Sequence, residues 1–451
     1  MKTRICGPLR GLREAIYTSG GACPQLARVV VVPQDWKGKS LMHSSLKRMW
    51  ALLGVVAAIG AVAATSAIAS HKAGPTIVIW TDANRAASVS KVANSWAASN
   101  GATIQVVTKD FGSIETALGT VAAADAPDVV VAAHDWTGQL AANGLVEPLF
   151  PSKAVSAQFP KYTLDAFSYG TAVKKLYGIP VQIENIALLV NTKLVKVPTT
   201  FAQLETEALA AKKKAHLSFG ICVQQGSGGD AYHMYPFFSG LGGYVFGVNK
   251  AGNLNPKDIG VANPTFLKNS KLIDKWNKEG LINSKTDYSV CDSAFTKSQT
   301  PFWITGPWAV SDIQKAGVTF KAVQVPPIAK ASVPFLGVNG MMVTKFASTH
   351  NVDAAAKDLV VNYFTTPSAQ TQLAAAGGRA PANLKAKATD PILAQFGKAS
   401  AGGVPMPNIP QMASVWSDLG QAWVRSTKGS GAMPAARSFK GAARAIQYKI
   451  G

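Results

Sequence analysis

The sequence predicts an α/β fold built in more than one lobe. Short apolar runs alternate with amphipathic ones from Thr76 onward. At 451 residues the chain exceeds what one core normally serves. A glycine-interrupted strand pattern late in the chain marks a place where it would pass between lobes.

"TIVIW" (76–80) is an uninterrupted apolar run, as a parallel strand buried on both faces requires. "ASVSKVANSWAAS" then puts Val89, Val92, Ala93 and Trp96 on one helical face. "TIQVVT" (103–108) reads as the next strand. "IETALGTVAAA" aligns Ile114, Ala117, Leu118, Val121 and Ala122 as a second helix, and "PDVVVAA" (127–133) as a third strand. This alternation is that of a sheet with helical crossovers, whose ligands sit off the carboxyl ends of its strands. Two such ends are Thr81–Arg85 and Ala132–Trp136. A further apolar unit follows in "YGIPV" (177–181) and "IALLVN" (186–191). A helix over 200–214 leads into "LSFGICV" (217–223). "FLGVNGMMV" (335–343) reads as a strand in which Gly337 and Gly340 predict a bend or a close backbone approach.

The net charge of +21 invites a nucleic-acid reading, but its distribution argues otherwise. Nine Lys and Arg against two acidic residues lie in residues 1–69, leaving +14 spread over the remainder. Apart from Lys212-Lys213-Lys214 the basic residues are scattered, and none forms a run interleaved with aromatics. A basic solvated surface is the reading, with an acidic cell envelope as the class of partner it fits. No nucleic-acid partner is expected.

"SLKRMWALLGVVAAIGAVAATSAIAS" (45–70) has the form of an export signal. Lys47 and Arg48 open it, an uncharged apolar run follows, and Ala67 and Ala69 form an A-x-A cleavage site. An uncleaved membrane anchor is the alternative that its length allows. No cysteine follows the run, so no lipoprotein attachment is predicted. Met42 is a natural start, with residues 1–41 an extension and 42–69 the signal. Cys6 and Cys23 fall in that leader. Cys222 and Cys291 fall in an exported body, where pairing is permitted but not fixed by spacing.

The sequence holds no H-E-x-x-H, G-x-S-x-G or P-loop pattern, and its six histidines are isolated. "GSGGD" (226–230) lacks the Lys-Ser/Thr that a phosphate cradle needs. No cofactor and no metal are expected. Asp135 and Glu184 are conceivable as the acid and nucleophile of a glycosidase, yet nothing in their spacing favours that over binding. The aromatics are more telling. Trp80, Trp136, Tyr232, Trp308 and Trp416 sit at element ends beside Gly, Pro, Asp or Asn, whereas Trp96 and Trp276 lie on helical faces and read as core. Aromatic faces beside carboxylates suit a sugar, which stacks its C–H face on a ring and places hydroxyls on Asp, Glu, Asn and Arg. "PMPNIPQMASVW" (405–416) is the clearest case: Pro405, Pro407 and Pro410 stiffen the entry to a helix that begins at Trp416.

Six stretches, "TIVIWTDANR", "PDVVVAAHDWTGQLAANGLVEPL", "YGIPVQIENIALLVNTKLV", "TDYSV…AF", "TGPWAVSDI" and "PMPNIPQMASVW", resemble the maltose-binding proteins, periplasmic-type solute-binding proteins of ABC sugar importers. The resemblance runs from about Thr76 to Lys428, with one shifted patch near 224–231. It implies a two-lobed periplasmic-binding-protein fold with hinge strands, one lobe from 76–184 and 337–389 and the other from 185–336 and 390–451. A maltose or maltodextrin ligand would be held in the cleft and delivered to ABC permease subunits; another disaccharide such as trehalose is the alternative. Carried over by position, Asn84 and Arg85 stand where the family uses an acidic residue and a lysine on sugar hydroxyls. Asp135 and Glu184 match ligand carboxylates, and Asp230 takes the place of a glutamate just before a tyrosine. Tyr232, Trp308 and Trp416 match stacking aromatics. Three positions depart: Ala132 replaces a tryptophan, and Trp136 and Gly420 each replace an arginine. Trp136 would supply an aromatic wall from a different backbone position.

Overall fold

A computed structural model describes residues 74–170, 173–388 and 390–451. The predicted export segment, Met42, Cys6 and Cys23 lie outside the described residues. Among the described residues no helix is long and apolar enough to cross a membrane.

Two sheets organise the body. The larger has seven strands, ordered Ala380–Pro381, Ile179–Asn185, Phe335–Val343, Val129–Ala133, Thr76–Thr81 and Thr103–Thr108, with Val404–Pro405 added on Phe335–Val343. Thr76–Thr81 runs parallel to both Thr103–Thr108 and Val129–Ala133, while Phe335–Val343 is antiparallel to Val129–Ala133 and Ile179–Asn185 and parallel to Val404–Pro405. The smaller sheet has four strands, ordered Phe320–Val323, Ala187–Asn191, Phe302–Thr305 and Cys222–Val223. This is the two-lobed α/β architecture.

The apolar runs are continuous because both faces of each sheet are covered. In the larger sheet Ile77, Ile79, Val129 and Val131 pack with Val89, Val92 and Trp96 of the helix Ala83–Asn100, while Trp80, Val130 and Ala132 face the opposite layer. The smaller sheet alternates likewise. Leu188, Val190 and Ile304 enter a core with Phe237, Phe266, Trp276, Trp423 and Phe439; Leu189, Cys222 and Trp303 enter another with Phe295 and Phe396. Trp96 and Trp276 are core, as their helical positions predicted.

Cys222 and Cys291 form a disulfide with Cα atoms 5.4 Å apart, tying an edge strand to the helix Tyr288–Thr296. It closes 69 residues of chain, a loop long enough to restrict the unfolded chain by the equivalent of a few kcal/mol, about 2–4. Such a bond suits an oxidising compartment.

Three sequence expectations need correction. The helix from Ile114 ends at Thr120, because Val121 turns extended and the alanines after it have no layer to pack on. The "LSFGICV" strand contracts to Cys222–Val223, since the Gly220 and Ile221 amides donate to the 280–281 backbone instead of a strand partner. Trp80 stands at the end of its strand, as expected, but its ring is buried inside the larger sheet, with the Lys109 Nζ 4.5 Å away, and does not join the other aromatics at the cavity.

The chain crosses between sheets between Asn185 and Ala187 and again between Val323 and Phe335; after Pro381 the helix Ile392–Ala399 packs against the smaller sheet's strand Phe320–Val323 before the chain returns to the larger sheet at Val404–Pro405. Gly340 lies where a Cβ would come within 2.5 Å of the Phe167 ring and 2.6 Å of the Ile179 carbonyl, and the strand register shifts there. At Gly337 a Cβ would lie 3.0 Å from the Glu184 side chain. Both glycines therefore mark close approach, as their placement in a strand predicted.

Candidate functional site

A cavity of about 730 Å³ opens where the carboxyl ends of the larger sheet's parallel strands face the smaller sheet. Such a volume suits a small organic ligand of several rings. All nine predicted site residues line it: Asn84, Arg85, Asp135, Trp136, Glu184, Asp230, Tyr232, Trp308 and Trp416.

The end of the first strand is built by capping. Asp82 is the N-cap of the helix Ala83–Asn100, accepting from the Asn84 amide at 2.9 Å. Its second oxygen accepts from Arg85 at 2.6 Å, which turns that arginine inward. Arg85 then lies 3.4 Å from both oxygens of Glu184, with its guanidinium over Phe111 at 4.5 Å. Asn84 stays exposed at the rim. Glu184 also accepts from Arg379 Nε at 2.7 Å, and Arg379 in turn lies over Trp308. Burial alone would raise the Glu184 carboxyl, but the two guanidiniums outweigh it and hold the group below its ordinary range.

Asp135 and Trp136 lie in the short 3₁₀ turn His134–Trp136 that follows the strand Val129–Ala133. Trp136 packs on Phe111 with ring centres 4.8 Å apart, so the aromatic wall comes from this pair. Ala132, by contrast, is wholly buried inside its strand. Asp135 accepts from the Trp416 indole N–H at 3.0 Å and has no cationic partner among the described residues. Burial pushes its carboxyl up to about 7, with the Trp416 hydrogen bond opposing. Glu115, nearby on the wall, is pushed up to about 8 by burial and by the Asp135 charge.

The opposite wall is aromatic. Gly306 lets the Trp308 ring fold back over the backbone, where any Cβ would meet the ring at 2.1 Å. His233 meets Trp308 edge-on at 5.6 Å, and Tyr232 stacks on Phe335 at 6.3 Å. Asp230 accepts from the His233 backbone amide at 2.9 Å, its ring Nδ1 at 2.8 Å and Gln224 at 2.7 Å. Burial would raise Asp230; these donors overcome it and lower the carboxyl instead.

The proline segment has a defined job. The Met406 carbonyl accepts from His134 Nε2 at 3.0 Å, while His134 Nδ1 accepts from the Val338 amide at 3.1 Å. Asn408 donates to the carbonyls of Asp165, Ala166 and Ser168. Pro410 then opens a 3₁₀ turn that delivers Trp416 to the first residue of the helix Trp416–Thr427. Gly420, one turn on, packs backbone to backbone against Gly229: a Cβ on Gly229 would meet the Gly420 carbonyl at 2.3 Å. The "GSGGD" loop thus occupies the space that an arginine at 420 would need.

Sequence reasoning missed Asp82, Phe111, Glu115, Gln224, His233 and Arg379 on this wall. Asp82 carried a readable signal, an N-cap before an amphipathic run. Phe111 and Glu115 follow the strand Thr103–Thr108, whose carboxyl end the same strand-end rule covers. Arg379 had no local signal, since only its position beside the strand Ile179–Asn185 brings it to Glu184.

Six buried polar atoms on the cavity residues have no hydrogen-bond partner among the described residues: Arg85 Nε, Asp135 Oδ1, Gln224 Oε1, Tyr232 Oη, His233 Nε2 and Asn339 Nδ2. Buried polar groups are ordinarily paired, so their convergence marks a surface made for a ligand with many hydrogen-bonding groups. Among the described residues no cluster of His, Cys, Asp and Glu is arranged to hold a metal ion.

Comparison with known proteins accords with this geometry. The chain is 28% identical over 367 residues to the galactooligosaccharide-binding protein of Bacillus subtilis (strain 168), covering 78% of this chain and 85% of that protein. It is 28% identical over 331 residues to the maltotriose-binding protein of Pyrococcus abyssi (strain GE5 / Orsay), covering 70% of this chain and 69% of that one. A maltodextrin-binding protein of Bacillus subtilis (strain 168) is 28% identical over 340 residues, covering 70% and 77%. The family described as bacterial extracellular solute-binding proteins matches residues 91–396, some two thirds of the sequence, and the chain belongs to it.

Proposed function

We propose that this protein is the sugar-binding receptor of an ABC importer and that its ligand is a maltodextrin-class oligosaccharide. The convergence of the six unpaired polar atoms with Trp136, Tyr232, Trp308 and Trp416 in one cavity carries this reading. A pyranose offers an apolar face to an aromatic ring and a rim of hydroxyls to carboxylates and amides, and this cavity offers both kinds of surface.

In this reading Asp135, Glu184, Asp230, Arg85 and the rim residue Asn84 bind hydroxyls, and the four aromatics stack on sugar rings. The lobes, 76–184 with 337–389 and 185–336 with 390–451, close on the ligand, and the closed form is the one that permease subunits in the membrane receive. The protein acts outside the cytoplasmic membrane after export. It acts as a binding protein rather than an enzyme, in keeping with relatives that are themselves binding proteins.

A second reading, a galactooligosaccharide ligand, draws support from the 85% of the Bacillus subtilis galactooligosaccharide-binding protein that the match covers. A thermal-shift panel of maltose, maltotriose, trehalose, cellobiose and a galactotriose decides between them. A ligand at about 100 times its Kd stabilises by about 2.7 kcal/mol. A rise with maltotriose and recovery of the sugar unchanged is the expected result. A response to galactotriose alone moves the assignment to the second reading, and glucose released from maltotriose overturns the receptor.

A further inference from the structure

Two carboxyl groups on the cavity wall have no positive partner in the protein. Six acidic residues line the cavity, and four of them are accounted for. Asp82 accepts from Arg85, Glu184 from Arg85 and Arg379, and Asp230 from the His233 ring, while Asp110 is exposed to solvent. Lys109, the remaining cation on the wall, has its Nζ 4.5 Å from the Trp80 ring. Asp135 and Glu115 are left, and among the described residues neither forms an ion pair with Lys, Arg or His. We propose that this pair holds a basic amine, so that the preferred ligand is an oligosaccharide of the maltodextrin class in which an amine stands in place of one hydroxyl. The inference rests on the sugar-receptor reading and narrows its ligand.

Two neighbouring turns build the pair. Glu115 lies in the first turn of the helix Ile114–Thr120, directly after the turn Phe111–Ser113, and Asp135 lies in the turn His134–Trp136. Phe111 and Trp136 pack with ring centres 4.8 Å apart and tie one turn to the other, and the Asp135 charge reaches Glu115. Asp135 is 7% exposed. Its Oδ2 accepts the Trp416 indole N–H at 3.0 Å, while Oδ1 has no partner. The Arg85 guanidinium lies over Phe111, but its N–H groups turn to Asp82 and Glu184 and not to this pair.

A neutral hydroxyl can fill one oxygen, but it leaves two adjacent carboxylates without a counter-charge. An ammonium brings three donors and the counter-charge together, and its hydrogen bonds to carboxylates are about twice as strong as neutral ones. Trp136 and Trp416 line the cavity beside the pair and supply aromatic surface, which favours a cation. Without the cation, burial raises both carboxyls, Asp135 to about 7 and Glu115 to about 8, so that both hold protons at neutral pH. An ammonium that enters displaces a proton to solvent.

Isothermal titration of the full chain tests this with maltotriose and with maltotrioses in which one hydroxyl, at C2 or C6 of one ring, is replaced by an amine. The N-acetylated form of each amine is the control. At least one amine is expected to bind about tenfold more tightly than maltotriose at pH 7, and its acetylated form to lose that gain. Its binding should release about one proton more than maltotriose does, read from titrations in buffers of different ionisation enthalpy. Glu115→Gln, which keeps the shape and removes the charge, should cut the amine-to-maltotriose affinity ratio to about twofold or less. No amine tighter than maltotriose, a gain that survives acetylation, amine binding without the extra proton release, or an unchanged ratio in Glu115→Gln overturns the amine site and leaves the receptor standing. Failure of maltotriose and of every amine to bind overturns the receptor reading and the inference with it.

Discussion

Two carboxylates in one cavity, Glu184 and Asp135, are buried alike and titrate in opposite directions. Glu184 lies between Arg85 and Arg379, and the positive charge beside it more than offsets the loss of water. Asp135 has one neutral indole donor, and burial dominates, pushing it up to about 7. A carboxylate's role in such a cavity follows from whether the protein has already supplied its counter-charge, not from its residue type. The Glu184 side is preassembled; the Asp135 side keeps an unpaired oxygen.

The hardest blow to this contrast is Glu184→Gln. It strands two buried guanidiniums, with only Asp82 left beside Arg85, and should destabilise the protein by about 3–5 kcal/mol in denaturant unfolding at pH 7. Because Glu184 is lowered when folded, its contribution is present above the unfolded pKa near 4.5 and is lost as pH falls through the lower folded value. The variant's deficit should shrink on acidification. A deficit that persists unchanged at low pH means the ion pairs are not its source.

Asp135→Asn should act with the opposite slope. A carboxyl raised when folded contributes stability that is complete below its unfolded pKa near 3.8 and is lost as pH rises through about 7. Relative to the asparagine variant, the wild type should lose stability between pH 4 and 7, by at most about 4 kcal/mol at about 1.4 kcal/mol per pKa unit. Parallel curves of melting temperature against pH would refute the assignment.

The aromatic side sharpens the comparison further. Trp416→Phe keeps a ring but removes the indole donor, so the Asp135 titration seen by NMR should move higher, while sugar affinity falls about threefold to tenfold. Trp308→Ala should weaken binding about tenfold with little change in melting temperature, since the ring is only partly buried. A collapse of folding would return either ring to the core. The smallest effect is expected at the rim, where Asn84→Ala should shift affinity about threefold at most and stability by less than about 0.5 kcal/mol.

How much of this was legible in the sequence depended on how local its cause was. The strands Thr76–Thr81, Thr103–Thr108 and Phe335–Val343 and the helix Phe201–Ala215 follow from hydrophobic period. The helix after Ile114 was overextended, because an alanine run has helical propensity whether or not a layer waits to receive it. In the cavity, the strand-end rule brought Arg85, Asp135 and Trp136 to one place, and proline chemistry singled out Trp416. Arg379 and His233 were not legible, since each acts through a partner brought near only by folding or by a turn whose shape the sequence left open. The pairing of Cys222 with Cys291 belongs with them: 69 residues of separation say nothing about a Cα distance of 5.4 Å.

The sequence by itself determined the alternation of strand and helix, the two-sided burial of the sheets, and the aromatic and acidic character of the strand ends. These are short-range properties, fixed by side-chain period and turn chemistry within a few residues. Only the tertiary structure decided which carboxylates carry a counter-charge, and why glycine stands at 229 and 420. Charge pairing and backbone close approach are set by through-space distances of a few ångströms between residues that are far apart along the chain.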